Sequence, residues 1–164
     1  AVLKGWVESR FGLVPTFHGA PLARFPSPAW VRYLEQKAAS RFHSNGIQQQ
    51  LDLLYEYAQW ALQRLRPFGD GVHATLWRGS NDCDEQIVAR GSHERRRQWT
   101  VRFNSLVSFA TSPEQAECFG DWLLETRVPL VKLLFWPGLL PGLLTGEGEV
   151  IALGGDGEVQ AAYA

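Results

Sequence analysis

The sequence is poor in the residues that mark metal-binding and disulfide-rich proteins. Its 164 residues include only 2 cysteines, Cys83 and Cys118, and their separation fits no metal-ligand pattern. The 4 histidines are scattered along the chain, so we predict no metal site. We expect both cysteines to be reduced, as in a cytoplasmic protein, with a disulfide between them as the alternative.

Signals for secretion and for the membrane are also lacking. No charged segment followed by an apolar one opens the sequence. The longest uncharged apolar stretch, residues 133–146, is interrupted by prolines and glycines, so it predicts no membrane span. The formal net charge of −1 indicates neither a nucleic acid nor any other partner. We therefore expect a cytoplasmic location.

Glycine-rich loops of the Rossmann or P-loop type, which cradle nucleotide phosphates, do not occur. Hydrophobic residues make up 45% of the chain, which is enough for a packed core. Helical patterns come first and strand patterns follow, without the alternation of a parallel α/β fold. We predict one α+β domain over residues 1–164, with a helical part at 1–66 and a strand-rich part at 67–164.

Local signals predict three helices in the first part. Residues 1–11 carry apolar side chains at helical spacing. Ser27, followed by a proline, is typical of an N-cap with proline at the first helical position, and it predicts a helix over residues 28–42. An apolar stripe at steps of three and four then predicts a longer helix over residues 46–66, which Pro67 ends.

The strand-rich part shows short alternating runs separated by turn residues. Ser112 and the proline after it predict a helix that reaches about Trp122. Glycines within residues 154–157 predict a turn between two final strands. The predicted strands are residues 72–78, 99–103, 106–110, parts of 124–136, 149–153 and 158–162.

Charged and polar residues that could take part in a reaction lie in three of these segments. One strand ends in Arg78, another contains Ser108, and Glu147 and Glu149 stand one residue apart before an apolar run. If that strand begins at Glu147, both carboxylates face one cleft, because residues i and i+2 point the same way. Two such carboxylates suit a reaction that develops positive charge on a sugar and uses a cationic nucleophile. Taken alone, the pair is more typical of a solvated hairpin edge.

The ordered arginine, serine and glutamates resemble the arginine–serine–glutamate signature of mono-ADP-ribosyltransferases related to cholera toxin. Phe109 and Ala110 depart from that signature, which has threonine and serine there. Longer segments are similar to the NAD(+)–dinitrogen-reductase ADP-D-ribosyltransferase family, and from this resemblance we expect the family's N-terminal region to be missing here. These segments are residues 1–13, 50–55, 104–109 and 135–144.

The resemblance implies a fold and an activity. The implied fold has N-terminal helices packed on a mixed or antiparallel two-sheet ADP-ribosyltransferase core with a cleft for NAD. The implied activity transfers ADP-ribose from NAD, as substrate, to an arginine of dinitrogenase reductase, the nitrogenase iron protein, and so inactivates nitrogen fixation. A PII-type signalling protein is the implied regulator.

The resemblance also assigns roles to single residues. Glu149 is the implied catalytic carboxylate, which stabilises the oxocarbenium-like transition state. Glu147 would orient the incoming guanidinium and accept its proton, which favours arginine as the acceptor. Arg78 would bind the phosphates or ribose of NAD with its bidentate fork, and Ser108 would hold Glu149 by a hydrogen bond.

Other residues have weaker assignments. Gly79 and Phe109 are expected to contact NAD, and either Phe109 or Trp77 could stack on a ring of the ligand or point to the opposite face. Residues 136–146 are expected either to recognise the target protein or to be buried. Residues 95–97, three consecutive arginines, are expected either to form a solvated loop or to steer an acidic protein partner or a nucleic acid.

Two other functions stay open at this point. One is a toxin-like transferase of the same fold that acts on another protein or on structured RNA. The other is a non-catalytic module that binds NAD or a partner.

Overall fold

A computed structural model of the chain describes residues 2–40, 44–81, 83–91, 97–142 and 148–164. Within these ranges helices precede strands, which confirms the predicted α+β class. The helices of the first part are α1 (Val2–Phe11), α2 (Pro28–Ala39) and α3 (Asn45–Leu65).

The starts of α2 and α3 follow from local hydrogen bonding. The Ser27 hydroxyl accepts from the backbone N–H of Trp30 at 3.4 Å, and the Ser44 hydroxyl accepts from that of Ile47 at 3.4 Å. Each serine therefore satisfies one of the N–H groups that a helix start leaves unpaired. Helix α3 ends at Leu65, and the left-handed backbone of its C-cap residue Arg66, with φ of 47°, turns the chain towards the strands.

The described residues of the second part form strands, two short 3-10 helices (Asp84–Gln86 and Leu130–Lys132) and a short α-helix, α4 (Pro113–Glu117). Every strand pair is antiparallel, and the spatial order is β2-β3-β1-β4-β6-β5, with β3 also paired to β6. The strands are β1 (His73–Ser80), β2 (Ile87–Arg90), β3 (Arg97–Ala110), β4 (Trp122–Pro129), β5 (Leu133–Phe135) and β6 (Glu149–Tyr163).

The described strands form one hydrogen-bonded sheet, whereas the resemblance implies two. Strand β6 pairs with β3 along most of its length, with β5 near its start and with β4 near its end. Because β6 takes part in all three pairings, it joins the two halves of the sheet. The core lies on the face that carries Leu76, Leu124 and Val150, all almost fully buried.

Two predicted breaks in the strands are wrong. The two runs around residues 99–110 are one strand, β3, which passes through an irregularity between Phe103 and Leu106. The predicted turn at residues 154–157 lies inside β6. A Cβ atom on Gly154 would come within 1.6 Å of the Asn104 carbonyl oxygen, so the glycine allows the two strands to approach closely at this irregularity.

Helix α4 is also shorter than predicted. It ends at Glu117, and Trp122 instead begins β4, where it pairs with Tyr163. A Cβ atom on Gly120 would lie 2.3 Å from the Ser80 carbonyl carbon. This close approach to β1 fixes the turn after α4 and cannot be read from the local sequence.

Hydrogen bonds and ion pairs connect α1 to α2 and α3. The indole N–H of Trp6 donates to Asp52 of α3 at 2.8 Å, and Arg10 forms an ion pair with the same carboxylate. Hydrogen bonds from Arg10 and Trp6 lower the pKa of Asp52. On the other side, Glu8 accepts from Tyr33 at 2.9 Å and Lys37 at 2.7 Å in α2.

Candidate active site

Most of the residues singled out in the sequence meet in one pocket of about 400 Å³. Its walls come from β1, β3, α4 and the start of β6, and Arg78, Ser108 and Glu149 lie on three of these strands. Glu147 lies outside the described residues. The remaining lining residues are Trp77, Gly79, Phe109, Ala110, Ala116 and Phe119.

The register of the sheet explains why distant parts of the sequence converge here. Ala110, the last residue of β3, pairs with Trp77 of β1 and with Glu149 of β6. The strand end that bears Arg78 and the strand start that bears Glu149 therefore meet at a single position of β3. Residues paired across a sheet lie about 5 Å apart, so this arrangement is compact.

Arg78 is largely withdrawn from water within the pocket. Its guanidinium Nη1 donates to the backbone carbonyl of Ser108 at 2.8 Å. Burial lowers the pKa of Arg78, and the negative charge of Glu149 acts in the opposite direction. An arginine remains cationic under such shifts, so the pocket holds a fixed positive charge that is electrostatically coupled to Glu149.

Ser108 contributes its backbone to this arrangement. Within the described ranges its hydroxyl makes no hydrogen bond to Glu149, and its register partner on β6 is Ile151. The role of Ser108 in bracing Glu149 therefore stays a prediction. Its observed contribution is the carbonyl oxygen that receives the Arg78 guanidinium.

Glu149 is exposed at the first position of β6. The residue before it, Gly148, has a φ of 68°, which is a left-handed conformation. Strand β6 begins at Glu149, which is where the predicted strand 149–153 begins. The condition of a strand that starts at Glu147 is not met, so strand alternation cannot be used to orient Glu147 relative to Glu149. The left-handed backbone explains a glycine at this position, because a side chain would be strained there.

The aromatic residues of the pocket differ in what they offer a ligand. Phe109 is 4% exposed and packs edge-to-face on Phe103, with ring centroids 5.4 Å apart, so it belongs to the core. Trp77 is half-buried, and its indole N–H donates to Glu125 at 3.3 Å. Phe119, which the sequence reasoning did not single out, is 64% exposed at the same pocket.

Gly79 has a structural reason to be glycine. A Cβ atom there would lie 2.0 Å from the backbone oxygen of Ala116 in α4. The glycine therefore lets α4 sit against the end of β1 and form one wall of the pocket. Its predicted contact with NAD stays a prediction.

Two other sequence features lie mostly outside this pocket. Trp136 and Leu139 are buried, which favours burial for the described start of the loop at residues 136–146, while residues 143–147 lie outside the described ranges. Of the arginine run, only Arg97 is described, and its guanidinium lies 5.0 Å from the ring centroid of Trp122.

A second cavity, of about 490 Å³, lies between β3, β4 and β6. Phe109 lines both cavities, but Arg78, Ser108 and Glu149 line only the first. In the described ranges, no group of three His, Cys, Asp or Glu side chains could hold a metal ion. None of the described helices is long and apolar enough to cross a membrane.

Comparison with known proteins identifies the family. The family profile described as dinitrogenase reductase ADP-ribosyltransferase (DRAT) matches residues 1–161. The NAD(+)–dinitrogen-reductase ADP-D-ribosyltransferase of Rhodospirillum rubrum is 52% identical over 165 residues, which cover 99% of this chain and 58% of that protein. The chain thus spans little more than half the length of this relative. No solved structure matches this chain. Because the profile covers the chain almost from end to end, the chain belongs to the dinitrogenase reductase ADP-ribosyltransferase family.

Proposed function

We propose that this chain carries the catalytic site of an NAD-dependent protein-arginine mono-ADP-ribosyltransferase whose target is dinitrogenase reductase. The observation that carries the proposal is the common pocket of Arg78 and Glu149 in a chain of this family. The target is taken from the name of the Rhodospirillum rubrum relative. Modification of the nitrogenase iron protein would inactivate nitrogen fixation.

The pocket would serve as the NAD cleft of a two-sheet ADP-ribosyltransferase core. The register irregularity between β3 and β6 at Gly154, between the pairings of β6 with β5 and with β4, would correspond to the junction of those two sheets. Arg78 would bind a phosphate or ribose of NAD, because a desolvated guanidinium offers several donors to anionic oxygens. Gly79, Ser108 and Phe109 would complete this side of the cleft.

Glu149 would act through its charge. Cleavage of the bond between nicotinamide and ribose leaves a neutral nicotinamide and a cationic sugar, so the leaving group needs no general acid. A carboxylate placed beside the sugar stabilises that cation in the transition state. Ser108 would brace Glu149 as this charge develops.

Glu147 would act on the acceptor. Free arginine is protonated and therefore a poor nucleophile. As a nitrogen of the target guanidinium forms its bond to the anomeric carbon of ribose, it must lose one proton. Glu147 would orient the guanidinium and accept that proton. A PII-type signalling protein would regulate the reaction, and the reaction would take place in the cytoplasm.

Labelled NAD tests this proposal directly. The purified protein is incubated with NAD labelled in its adenosine half and a lysate of nitrogen-fixing cells, and the labelled species is identified by mass spectrometry. The proposal predicts ADP-ribose on an arginine of dinitrogenase reductase. Label on another protein or on RNA would support a toxin-like transferase. Binding of NAD without any label transfer would support a non-catalytic module. Either of these results contradicts the proposal.

A further inference from the structure

The side chain of Gln115 in α4 lies against the turn that precedes Glu149. A Cβ atom on Gly148 would lie 2.8 Å from the amide nitrogen and 2.8 Å from the amide oxygen of Gln115. The carboxamide therefore covers Gly148, which is the residue between Glu147 and Glu149. Exposed polar side chains usually contribute little. Gln115 differs from them because it contacts the segment that carries both candidate carboxylates.

Hydrogen bonds fix both the side chain and the backbone of Gln115. The Thr111 hydroxyl donates to the amide oxygen of Gln115 at 3.2 Å, and the Ser112 hydroxyl accepts from the backbone N–H of Gln115 at 3.4 Å. The next residue, Ala116, is buried, and its carbonyl packs against Gly79 of β1. The carboxamide therefore has a defined position relative to the strand that carries Arg78.

Glu149 is held from the other side of the turn. It pairs with Ala110, which directly precedes Thr111. The contact of Thr111 with Gln115 thus lies at the strand end where Arg78 and Glu149 meet. The described residues that line the pocket do not include Gln115, so its contact is with the turn and not with the space for a ligand. Loss of the carboxamide should therefore disturb the turn before Glu149 more than Glu149 itself.

We propose that Gln115 is a positioning residue for transfer to arginine, which holds the Gly148 turn and so fixes Glu147 relative to Glu149. The inference rests on the proposed function, in which Glu149 stabilises the sugar cation and Glu147 receives the proton of the acceptor. Transfer needs both carboxylates in place, whereas hydrolysis of NAD by water needs only Glu149. A displacement of about 1 Å at such a site can lower the rate on the order of 10²-fold.

Comparison of the two reactions tests this inference. Transfer of ADP-ribose to dinitrogenase reductase and hydrolysis of NAD without that protein are measured for the wild type and for Gln115→Ala. We expect kcat for transfer to fall roughly 10- to 100-fold, because the turn is no longer held. Hydrolysis should stay close to that of the wild type, because the pairing with Ala110 still places Glu149. The KM for NAD should not change.

The hydrogen bond from Thr111 gives a second and milder test. Thr111→Val removes the donor and keeps the shape of the side chain, so transfer should again fall more than hydrolysis. Thr111→Ser keeps the donor and should behave like the wild type. Because the two residues act as a unit, the double variant of Thr111→Val and Gln115→Ala should be no worse than Gln115→Ala alone.

Gln160 provides a matched control. It is also an exposed glutamine, and it lies near the end of β6 and does not line the pocket. Gln160→Ala should leave both reactions unchanged, and thermal melting should show that all variants are folded. If Gln115→Ala does not fold, the comparison of Thr111→Val with Thr111→Ser decides the question.

Three results would overturn the inference. Wild-type transfer by Gln115→Ala would remove any role for the carboxamide. Equal loss of transfer and hydrolysis would mean that Gln115 supports the pocket as a whole, and a higher KM for NAD with an unchanged kcat would assign it to NAD binding. Failure of the wild-type protein to modify an arginine would instead contradict the proposed function itself, so the two failures are distinguishable.

Discussion

Arg78 binds Ser108 through the backbone carbonyl of the serine and not through its hydroxyl. The position of the guanidinium therefore depends on the path of β3, whatever side chain residue 108 carries. Among the described residues, the contact of Ser108 with Arg78 does not involve the serine hydroxyl. The Ser108 carbonyl therefore positions Arg78, whereas bracing of Glu149 is predicted for the Ser108 hydroxyl.

Replacing Arg78 with lysine should weaken NAD binding. A lysine cannot reproduce the forked donors, and burial lowers the pKa of a lysine more readily than it neutralises an arginine. We expect the KM for NAD of Arg78→Lys to rise on the order of tenfold or more, as for the loss of a charge-assisted hydrogen bond. Steady-state kinetics with the target protein in excess measures this change. Arg127→Lys, an exposed arginine of β4, serves as the control. An unchanged KM for Arg78→Lys would exclude Arg78 from NAD binding.

Replacing Glu149 with glutamine should abolish transfer and preserve the fold. The Glu149 side chain is exposed, and the substitution removes only its charge, so the melting temperature of the variant should match that of the wild type. The loss of one group that stabilises a developing charge typically lowers kcat roughly 10²–10³-fold. Glu158→Gln, an exposed glutamate on the same strand, should retain activity. Comparable activity in the two variants would show that Glu149 is not the catalytic carboxylate.

Glu147→Gln should separate two reactions of the same sugar cation. We expect transfer to arginine to be lost, since the acceptor can no longer give up its proton to residue 147. Slow hydrolysis of NAD by water should persist, because Glu149 still stabilises the cation. Release of nicotinamide, measured with and without the target protein, tests this. Equal loss of both activities would count against the role assigned to Glu147.

Asp52 should make the stability of the helical part depend on pH. Its folded pKa is lowered from 3.8 by hydrogen bonds from Arg10 and Trp6, so its ionised form stabilises the fold above that value. This contribution is lost as the pH falls through the lower, folded pKa. We expect Asp52→Asn to have a smaller free energy of unfolding than the wild type at pH 6, and the difference should shrink towards pH 2.

Urea unfolding at several pH values measures that difference. Asp70→Asn is the control, because the Arg66–Asp70 pair is local and largely exposed and should add little at any pH. A difference between the wild type and Asp52→Asn that stays constant down to pH 2 would mean that the charge of Asp52 does not contribute.

The helices could be predicted because their signals are local. The Ser27 cap, the proline after it and the apolar stripe of α3 each act within a few residues, and each has its expected place in the structure. Strand β6 was mispredicted because its glycines have the composition of a turn. What keeps them within a strand is the pairing with β3, and that partner lies about fifty residues earlier.

Some residues of the candidate site could be identified from the sequence, and others could not because they depend on long-range contacts. Arg78 and Glu149 were identified from a resemblance, and the register through Ala110 that brings them into one pocket has no local sequence signal. Phe119 was missed because the predicted helix extended past it. The actual end of α4 at Glu117 depends on contacts of Gly79 and Gly120 across the fold, which leave Phe119 in the turn.

Those two glycines also limit how mutational scans of this protein can be interpreted. Any side chain at Gly79 or Gly120 would collide with backbone atoms across the junction of β1 and α4. Inactive variants at either position would therefore report a displaced wall and not a lost contact with the dinucleotide. A scan that ranked positions by loss of activity alone would assign both glycines to the catalytic site. A parallel measurement of protein abundance would separate loss of structure from loss of catalysis.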